Sequence, residues 1–247
     1  SGNNHNINFF SDLYEIKTSL NHNSIIDVNS EGLIGFHFQN YDQGALGQEE
    51  SHLVHTRTSS FALFALESFN FDLFDLDVGG RLESVNLRNT SMEKGFFPGA
   101  FSSTIKREVF TNNTVFGGFD FTERAPNAVE LFANGPHHAL EQFEVGDSNI
   151  GVETSYNFSL GYSYNDGLDT LKIETYYNYI DDFIAADRDG TTTNVEGEDM
   201  KNVNFSQYNA LFTGLEVSGQ YAFAKIDDFD IISNFMIDFL KGYRNSN

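Results

Sequence analysis

At 247 residues the chain has room for one large β domain or two smaller ones with a sizeable core. Its 36 acidic residues against 14 basic ones give a formal net charge of −22, which repels nucleic acid and anionic lipid headgroups and draws cations. Cysteine is absent, which excludes disulfides, thiolate metal sites and thiol catalysis, and no apolar run approaches the roughly 18 residues of a membrane-spanning helix.

A spanning β-strand escapes that last test, because about 9–11 alternating residues suffice and leave no hydropathy peak. The opening stretch, SGNNHNINFF, has neither the basic nor the apolar segment of a signal peptide. Strand periodicity follows at 12–26 and 32–41, where Ile34, Phe36 and Phe38 share one face against His37 and Gln39. The next predicted strands are 57–68 and 73–88, the second setting Leu76, Val78 and Leu82 against Asp75, Asp77 and Arg81. Two more are read at 99–109 and 113–122. In 154–164, Phe158, Leu160, Tyr162 and Tyr164 oppose Asn157, Ser159, Gly161 and Ser163. Segment 170–180 sets Leu171, Ile173, Tyr177 and Tyr179 against Lys172, Glu174 and Asn178. The last pair is 208–224, with Leu215, Val217, Tyr221 and Phe223 opposite Glu216, Ser218 and Gln220, and 229–240, with Ile231, Phe235, Ile237 and Phe239 opposite Asn234 and Asp238. The chain stops directly after this strand-like run, so both ends are expected to be cuts in a longer protein.

The ten predicted strands are joined by connections of two alternating kinds. Short ones fall at 27–31, 69–72, 110–112, 165–169 and 225–228; long ones fall at 42–56, 89–98, 123–153 and 181–207. In an up-and-down meander every second connection lies at the same end, so this alternation predicts short turns at one end and long loops at the other. A soluble sandwich with Greek-key crossings has no reason to keep it. Tyr and Phe at the ends of the apolar faces suit a membrane–water boundary, and the charged opposite faces suit a wet lumen.

The longest connection is the most decorated. TERAPNAVELFANGPHHALEQFEVGDSNIGVETS, residues 122–155, holds two of the chain's three prolines, six carboxylates and two adjacent histidines. It strongly resembles the TonB-dependent receptors, ligand-gated transporters of Gram-negative outer membranes. In that family a strand ends in R-A-P-x-x-x-E-L-F/Y, matched by Arg124, Ala125, Pro126, Glu130, Leu131 and Phe132. After a loop comes G-D/N-x-N-L-x-x-E-x-S-x-N, matched by Gly146, Asp147, Asn149, Glu153, Ser155 and Asn157, with Ile150 in the usual leucine position. The segments QNYDQGALG, SFALFALESF, YYNYIDDFI and LFTGLEVSGQYAF are similar to other strands of the family.

The resemblance implies an all-β fold, an antiparallel up-and-down transmembrane β-barrel of about 22 strands plugged by an N-terminal domain. This chain would be a single partial domain, 1–247, holding about ten strands from the later part of the barrel and lacking the plug and the terminal strands. Alone it would expose two long unpaired edges, which is costly in lipid. The implied function is energy-coupled uptake of a scarce ligand in the cell outer membrane. The TonB energy-transducing complex would act through the missing plug; the other partners would be outer-membrane lipid and a small-molecule or metal ligand, with no nucleic acid.

Imidazole and carboxylate together make a reasonable zinc or iron ligand set. The candidates are His137, His138, Glu141 and Glu144 in loop 123–153 and Glu49, Glu50, His52 and His55 in QEESHLVH. The zinc-receptor branch of the family resembles this chain most in its N-G-P-H loop, and zinc or iron would then be cargo; no other cofactor is implied. The plainer alternative is a set of solvated loop residues on an acidic protein. Glu123, Arg124 and Glu130 are expected to organise the strand exit through charge-assisted hydrogen bonds. The run 187–198, DRDGTTTNVEGE, lacks EF-hand spacing and reads as a turn, and His37 reads as a lumen hydrogen-bonding residue. GDSN at 146–149 has no nucleophile elbow or ordered partners, and no catalytic constellation is found. Two alternatives of other classes stay open: a soluble acidic β-sandwich binding module, and a small complete barrel of about ten strands with a passive or lytic role.

Overall fold

The computed structural model describes residues 7–24, 29–47, 52–226 and 229–245. Ten long strands carry the fold: Ile7–Asn23 (β1), Ser30–Gly47 (β2), Thr56–Asn70 (β3), Asp75–Arg88 (β4), Gly99–Phe110 (β6), Asn113–Arg124 (β7), Glu153–Asn165 (β10), Thr170–Val195 (β11), Glu198–Ile226 (β12) and Phe229–Asn245 (β13). Three short strands, Glu93–Phe96 (β5), Asn134–His137 (β8) and Gln142–Val145 (β9), and one short helix, Ala128–Phe132 (α1), decorate them. Each long strand pairs antiparallel with the next in sequence, in one sheet. Among the described residues β1 and β13 do not pair with one another, so the sheet is an open up-and-down wall. A single sheet is neither the two stacked sheets of a sandwich nor a small closed barrel.

The register lines up apolar side chains across the whole wall. Ile16 faces Phe38, which faces Phe61. Farther along, Phe101, Phe121, Tyr156, Tyr179, Leu211 and Tyr243 form one continuous row across six strands. A second row runs Phe119, Phe158 and Tyr177, with Phe119 and Phe158 rings 4.9 Å apart. These side chains do not enter a dry interior: Phe158 is 52% exposed and Leu160 64%. An exposed apolar band of this extent on one face is the surface that lipid would cover.

The opposite face is polar and internally paired. Glu15 meets His37 at 2.7 Å, Asp77 meets Lys106 at 2.5 Å, and Asn157 donates to Asp120 at 3.1 Å. Glu174, Glu216 and Asp238 stand side by side in register on this face.

Two expectations about the connections need correction. Segment 181–207, read as a loop, is the upper part of a tall hairpin: β11 continues to Val195 and β12 begins at Glu198. The two-residue turn Glu196-Gly197 has φ of 51° and 95°, the positive-φ pair that closes a tight hairpin with the right twist. Register shifts between Ile180 and Phe183 and between Arg188 and Thr192 absorb extra residues, with Asp182 (φ 55°) and Gly190 (φ 84°) in left-handed conformations. The carboxylate-rich run is therefore strand, its polar side chains bonding across the hairpin, as Asn194 to Asp199 at 2.8 Å and Thr193 to Asn202 at 2.7 Å. Strand β2, expected to stop at 41, runs on to Gly47. The end asymmetry holds: connections 71–74, 111–112 and 166–169 are at one end, and 89–98, 125–152 and the tall hairpin are at the other. Residues 27–28 and 227–228 of the expected turns 27–31 and 225–228, and residues 48–51 of the expected loop 42–56, lie outside the described residues.

The buried core is small and sits at the end with the long connections. Leu87, Ala128, Leu131, Phe132, Ile150 and Ile184 pack together there, with Val54, Val85, Phe96 and Phe205 against them. This placement fixes the excursion after β7 to the rim of the wall.

Candidate functional site

The excursion is built from its two motif halves upward. As the chain leaves β7, the Asn127 side chain accepts from the Glu130 amide at 2.9 Å, and Glu130 accepts in return from the Asn127 amide at 2.8 Å. This capping box starts α1 without help from a longer helix. Arg124 then grips both halves: it donates to Glu130 at 2.9 and 3.2 Å and to Glu153 at 3.1 and 3.2 Å. Glu153 also accepts from the Ile184 amide at 2.8 Å, joining β10 to the bulge in β11. On the return, the Gly146 amide donates to Ala133 at 2.7 Å and the Asp147 amide to Glu130 at 2.9 Å. Backbones approach so closely here that a Cβ on Gly146 would stand 2.7 Å from the Leu131 carbonyl carbon and the Phe132 nitrogen. Glycine is required at that position. Asp147 closes the turn by accepting from the Asn149 amide at 2.8 Å.

Beyond α1 the chain folds β8 against β9, and β9 pairs in parallel with Lys201–Asn204 of β12. The other edge of this small hairpin meets the connection between β2 and β3, where the His52 amide donates to the Pro136 carbonyl at 3.1 Å. That bond brings His52 over His137, with ring centroids 4.2 Å apart and planes 22° from parallel. His137 Nδ1 lies 2.8 Å from the carboxylate of Glu144, which is 7% exposed. One ligand atom from each of His52, His137 and Glu144 lies within 4.8 Å of the others. Burial holds the His52 pKa below the ordinary histidine value, with the Glu144 charge opposing that shift and His137 adding to it. A neutral imidazole keeps a lone pair for a metal ion.

The remaining candidates are dispersed. His55 turns away to Asp42, at 2.7 Å, which also holds Arg57 at 2.8 Å. His138 is exposed on the one-turn 3-10 helix His138–Leu140 between β8 and β9, and Glu141, also exposed, caps its end. Glu49 and Glu50 lie outside the described residues. Ser155 donates to Asn178 at 2.7 Å, while Leu131 is 1% exposed in the core. Glu123 does not join Arg124; it accepts from the Gly99 amide at 2.8 Å. His37 is held between Glu15 and Arg81, at 2.7 and 3.3 Å, on the polar face.

Sequence reasoning missed Gln207. Its side chain accepts from the Gly151 amide at 2.9 Å and donates to the Gly151 and Asp182 carbonyls at 3.2 and 2.9 Å, stapling the excursion to the tall hairpin. Nothing in the local pattern marks it. Below α1, on the polar face, a cavity of about 550 Å³ is lined by Tyr41, Glu83, Glu123, Arg124 and Pro126.

Comparison with known proteins gives the same architecture. The solved structure of the copper transporter OprC superposes with a TM-score of 0.69 at 14% identity, over 95% of this chain and 38% of that one. The siderophore receptor PirA from Pseudomonas aeruginosa gives 0.67 at 16% identity, over 94% and 41%. The hemophore receptor HasR of Serratia marcescens gives 0.63 at 14%, over 94% and 42%. At these identities the likeness concerns the fold, and the chain spans about two-fifths of the length of these solved chains. The family model described as TonB dependent receptor-like, beta-barrel matches residues 1–245, the two-faced wall and its interlocked rim included, and this chain belongs to that family.

Proposed function

We propose that the intact protein is an energy-coupled receptor of the Gram-negative outer membrane. It captures a scarce ligand at the rim and passes it along the polar face, through a lumen gated by a plug on which the TonB complex acts. The observation that carries this reading is the division of the wall: apolar rows cover one face, paired polar groups cover the other, and the ordered excursions gather at a single end. Lipid on one side, water on the other and a capture surface at one opening are what a ligand-specific transport barrel needs. A transition-metal ion or its chelate is the ligand class. The histidine–carboxylate group at the rim supports this, as does the excess of 36 acidic over 14 basic residues. The similar structures of a copper transporter, a siderophore receptor and a hemophore receptor in complex with its hemophore and heme point the same way. The test is accumulation of radiolabelled zinc, copper or ferric siderophore by cells carrying the intact receptor. Accumulation of one of these that stops when the proton gradient is collapsed supports the reading. Accumulation of none, or accumulation indifferent to the gradient, rejects it.

A further inference from the structure

We propose that Tyr208, Phe183, Phe212, Tyr176 and Phe116 form a stacking track down the polar face, over which an uncharged or cationic chelate passes beside the plug. The inference rests on the uptake reading and deepens its ligand class, from an ion or its chelate to a chelate that travels with its organic part. It also commits the opening between plug and wall to one sector, β7 to β13.

The rings stand where burial by lipid does not account for them. Tyr176 is in register with Ser159, and Phe212 with Asn178, which itself pairs with Asn157 on the polar face. Phe116 is in register with Gly161 on one side and Lys106 on the other. Phe183 pairs with Tyr208 just past the first register shift of β11, and its ring meets those of Tyr208 and Phe212 at 5.6 and 5.8 Å between centroids.

Glycines let three of the rings lie low against the wall. A Cβ on Gly161 would stand 2.6 Å from Phe116 Cε2, one on Gly214 2.6 Å from Tyr176 Cε1, and one on Gly242 2.9 Å from Phe212 Cε1. Each ring therefore leans across onto the adjacent strand instead of standing into the bore, and all three lean the same way, toward β13. The seats step down from the rim. Gly242 opposes Phe212, Gly214 opposes Tyr176, and Ser159 carries that level to β10, where Gly161 lies nearer the short turn. With strands about 4.8 Å apart and a rise of about 3.3 Å per residue, successive seats are roughly 8 and 12 Å apart. A chelate of drug-like size meets the next ring before it leaves the last.

Charge selects the passenger. Aromatic faces attract cations and CH groups, and two of these rings already carry a cation: Arg244 Cζ lies 3.7 Å from the Tyr208 centroid and Lys172 Nζ 5.3 Å from that of Phe116. Glu174, Glu216 and Asp238 continue the row of Phe116 and Gly161 across β11, β12 and β13. Those carboxylates accept hydrogen bonds from hydroxyl or amide donors and repel anions. A bare ion gains nothing from rings spaced in this way; a chelate with an apolar or flat face does.

The experiment uses cells carrying the intact receptor, with any cysteine outside these residues replaced by serine. Single cysteines at Ser159 and Ser218, beside the track, and at Gln39 and Ser102, on the polar face of the other sector, are labelled with a membrane-impermeant cationic maleimide. Labelling at Ser159 and Ser218 should rise when the proton gradient is present, and labelling at Gln39 and Ser102 should not. Accumulation of radiolabelled zinc, copper and ferric siderophore is then followed in Phe116→Leu and Tyr176→Leu, which keep apolar bulk and lose the ring. Uptake of a chelate should slow about fivefold at unchanged receptor abundance and unchanged half-saturating concentration, with recovery in Tyr176→Phe. Tyr177→Leu, on the lipid face of the same strand, should transport as the parent does. Parental rates in both leucine variants, or gradient-dependent labelling that is absent or equal in the two sectors, overturns the track. A parent that accumulates none of the three compounds defeats the uptake reading instead, and the labelling pattern still decides the track.

Discussion

Replacing Arg124 by alanine removes a cation that holds the excursion to the wall. Four hydrogen bonds to two carboxylates are lost, those to Glu130 at 2.9 and 3.2 Å and those to Glu153 at 3.1 and 3.2 Å. The carboxylates left behind are nearly enclosed, their side chains 10% and 13% exposed. Breaking a fully buried ion pair from one side costs about 3–5 kcal/mol. The guanidinium here is 40% exposed, so solvent recovers part of that and the expected cost is about 2–4 kcal/mol. Because the long strands stay paired, the loss falls on local opening of 125–152 rather than on the wall. Amide hydrogen exchange of the intact receptor reads it: α1 and the turn at Gly146–Asn149 should exchange about 30- to 1,000-fold faster, at about 1.4 kcal/mol per decade. Strands β10 and β7 should keep their protection below the rim. Arg124→Lys, which keeps the charge but loses the two-pronged geometry, should fall in between. Exchange of α1 within about threefold of the parent in Arg124→Ala would refute the claim that this cation organises the rim.

Two further perturbations follow from the same structure. Gly146→Ala places a methyl 2.7 Å from the backbone of Leu131 and Phe132, so the return strand must move out; a cost of about 1–3 kcal/mol should appear as faster proteolytic nicking of 133–149. At the opposite end, the Asp166 carboxyl is held below its usual value of 3.8 by the Asp169 amide, then the Tyr164 hydroxyl and the Leu168 amide. A depressed folded-state pKa contributes stability above the unfolded value and loses it as pH falls through the folded one. Protection of the 166–169 turn should therefore hold above about pH 4 and decline below it, and Asp166→Ala should show low protection at every pH.

The wall was legible in the sequence because burial by lipid imposes period 2. Phe158, Leu160, Ile173 and Val217 stand out against Asn157, Ser159, Lys172 and Glu216, and the register places the four apolar side chains on one face. The rim was half legible. Arg124, Glu130, Gly146 and Glu153 announce a fixed motif, and their mutual bonds explain its spacing. Beyond the lipid that rule lapses. In 181–207 no solvent boundary enforces alternation, so a polar hairpin whose course depends on bulges at Asp182 and Gly190 reads as loop. Eight histidine and glutamate candidates were visible in two loops. Which three meet depends on β9 pairing with β12 and on His52 reaching Pro136, long-range contacts with no local signature. Gln207 bridges Gly151 and Asp182 for the same reason, unannounced by its neighbours.

These 247 residues contain no cysteine, so once any cysteine elsewhere in the intact receptor is replaced by serine, single cysteines report each position without background. The most direct test places one at each residue from 156 to 161 in the intact receptor, reconstituted in bilayers, and compares labelling by a water-soluble maleimide with quenching by spin-labelled lipid. Positions 156, 158 and 160 should be quenched by lipid and slow to label, while 157, 159 and 161 should escape the quencher. Loss of that two-residue alternation, or its reversal, would contradict the two-faced wall on which every functional statement above depends.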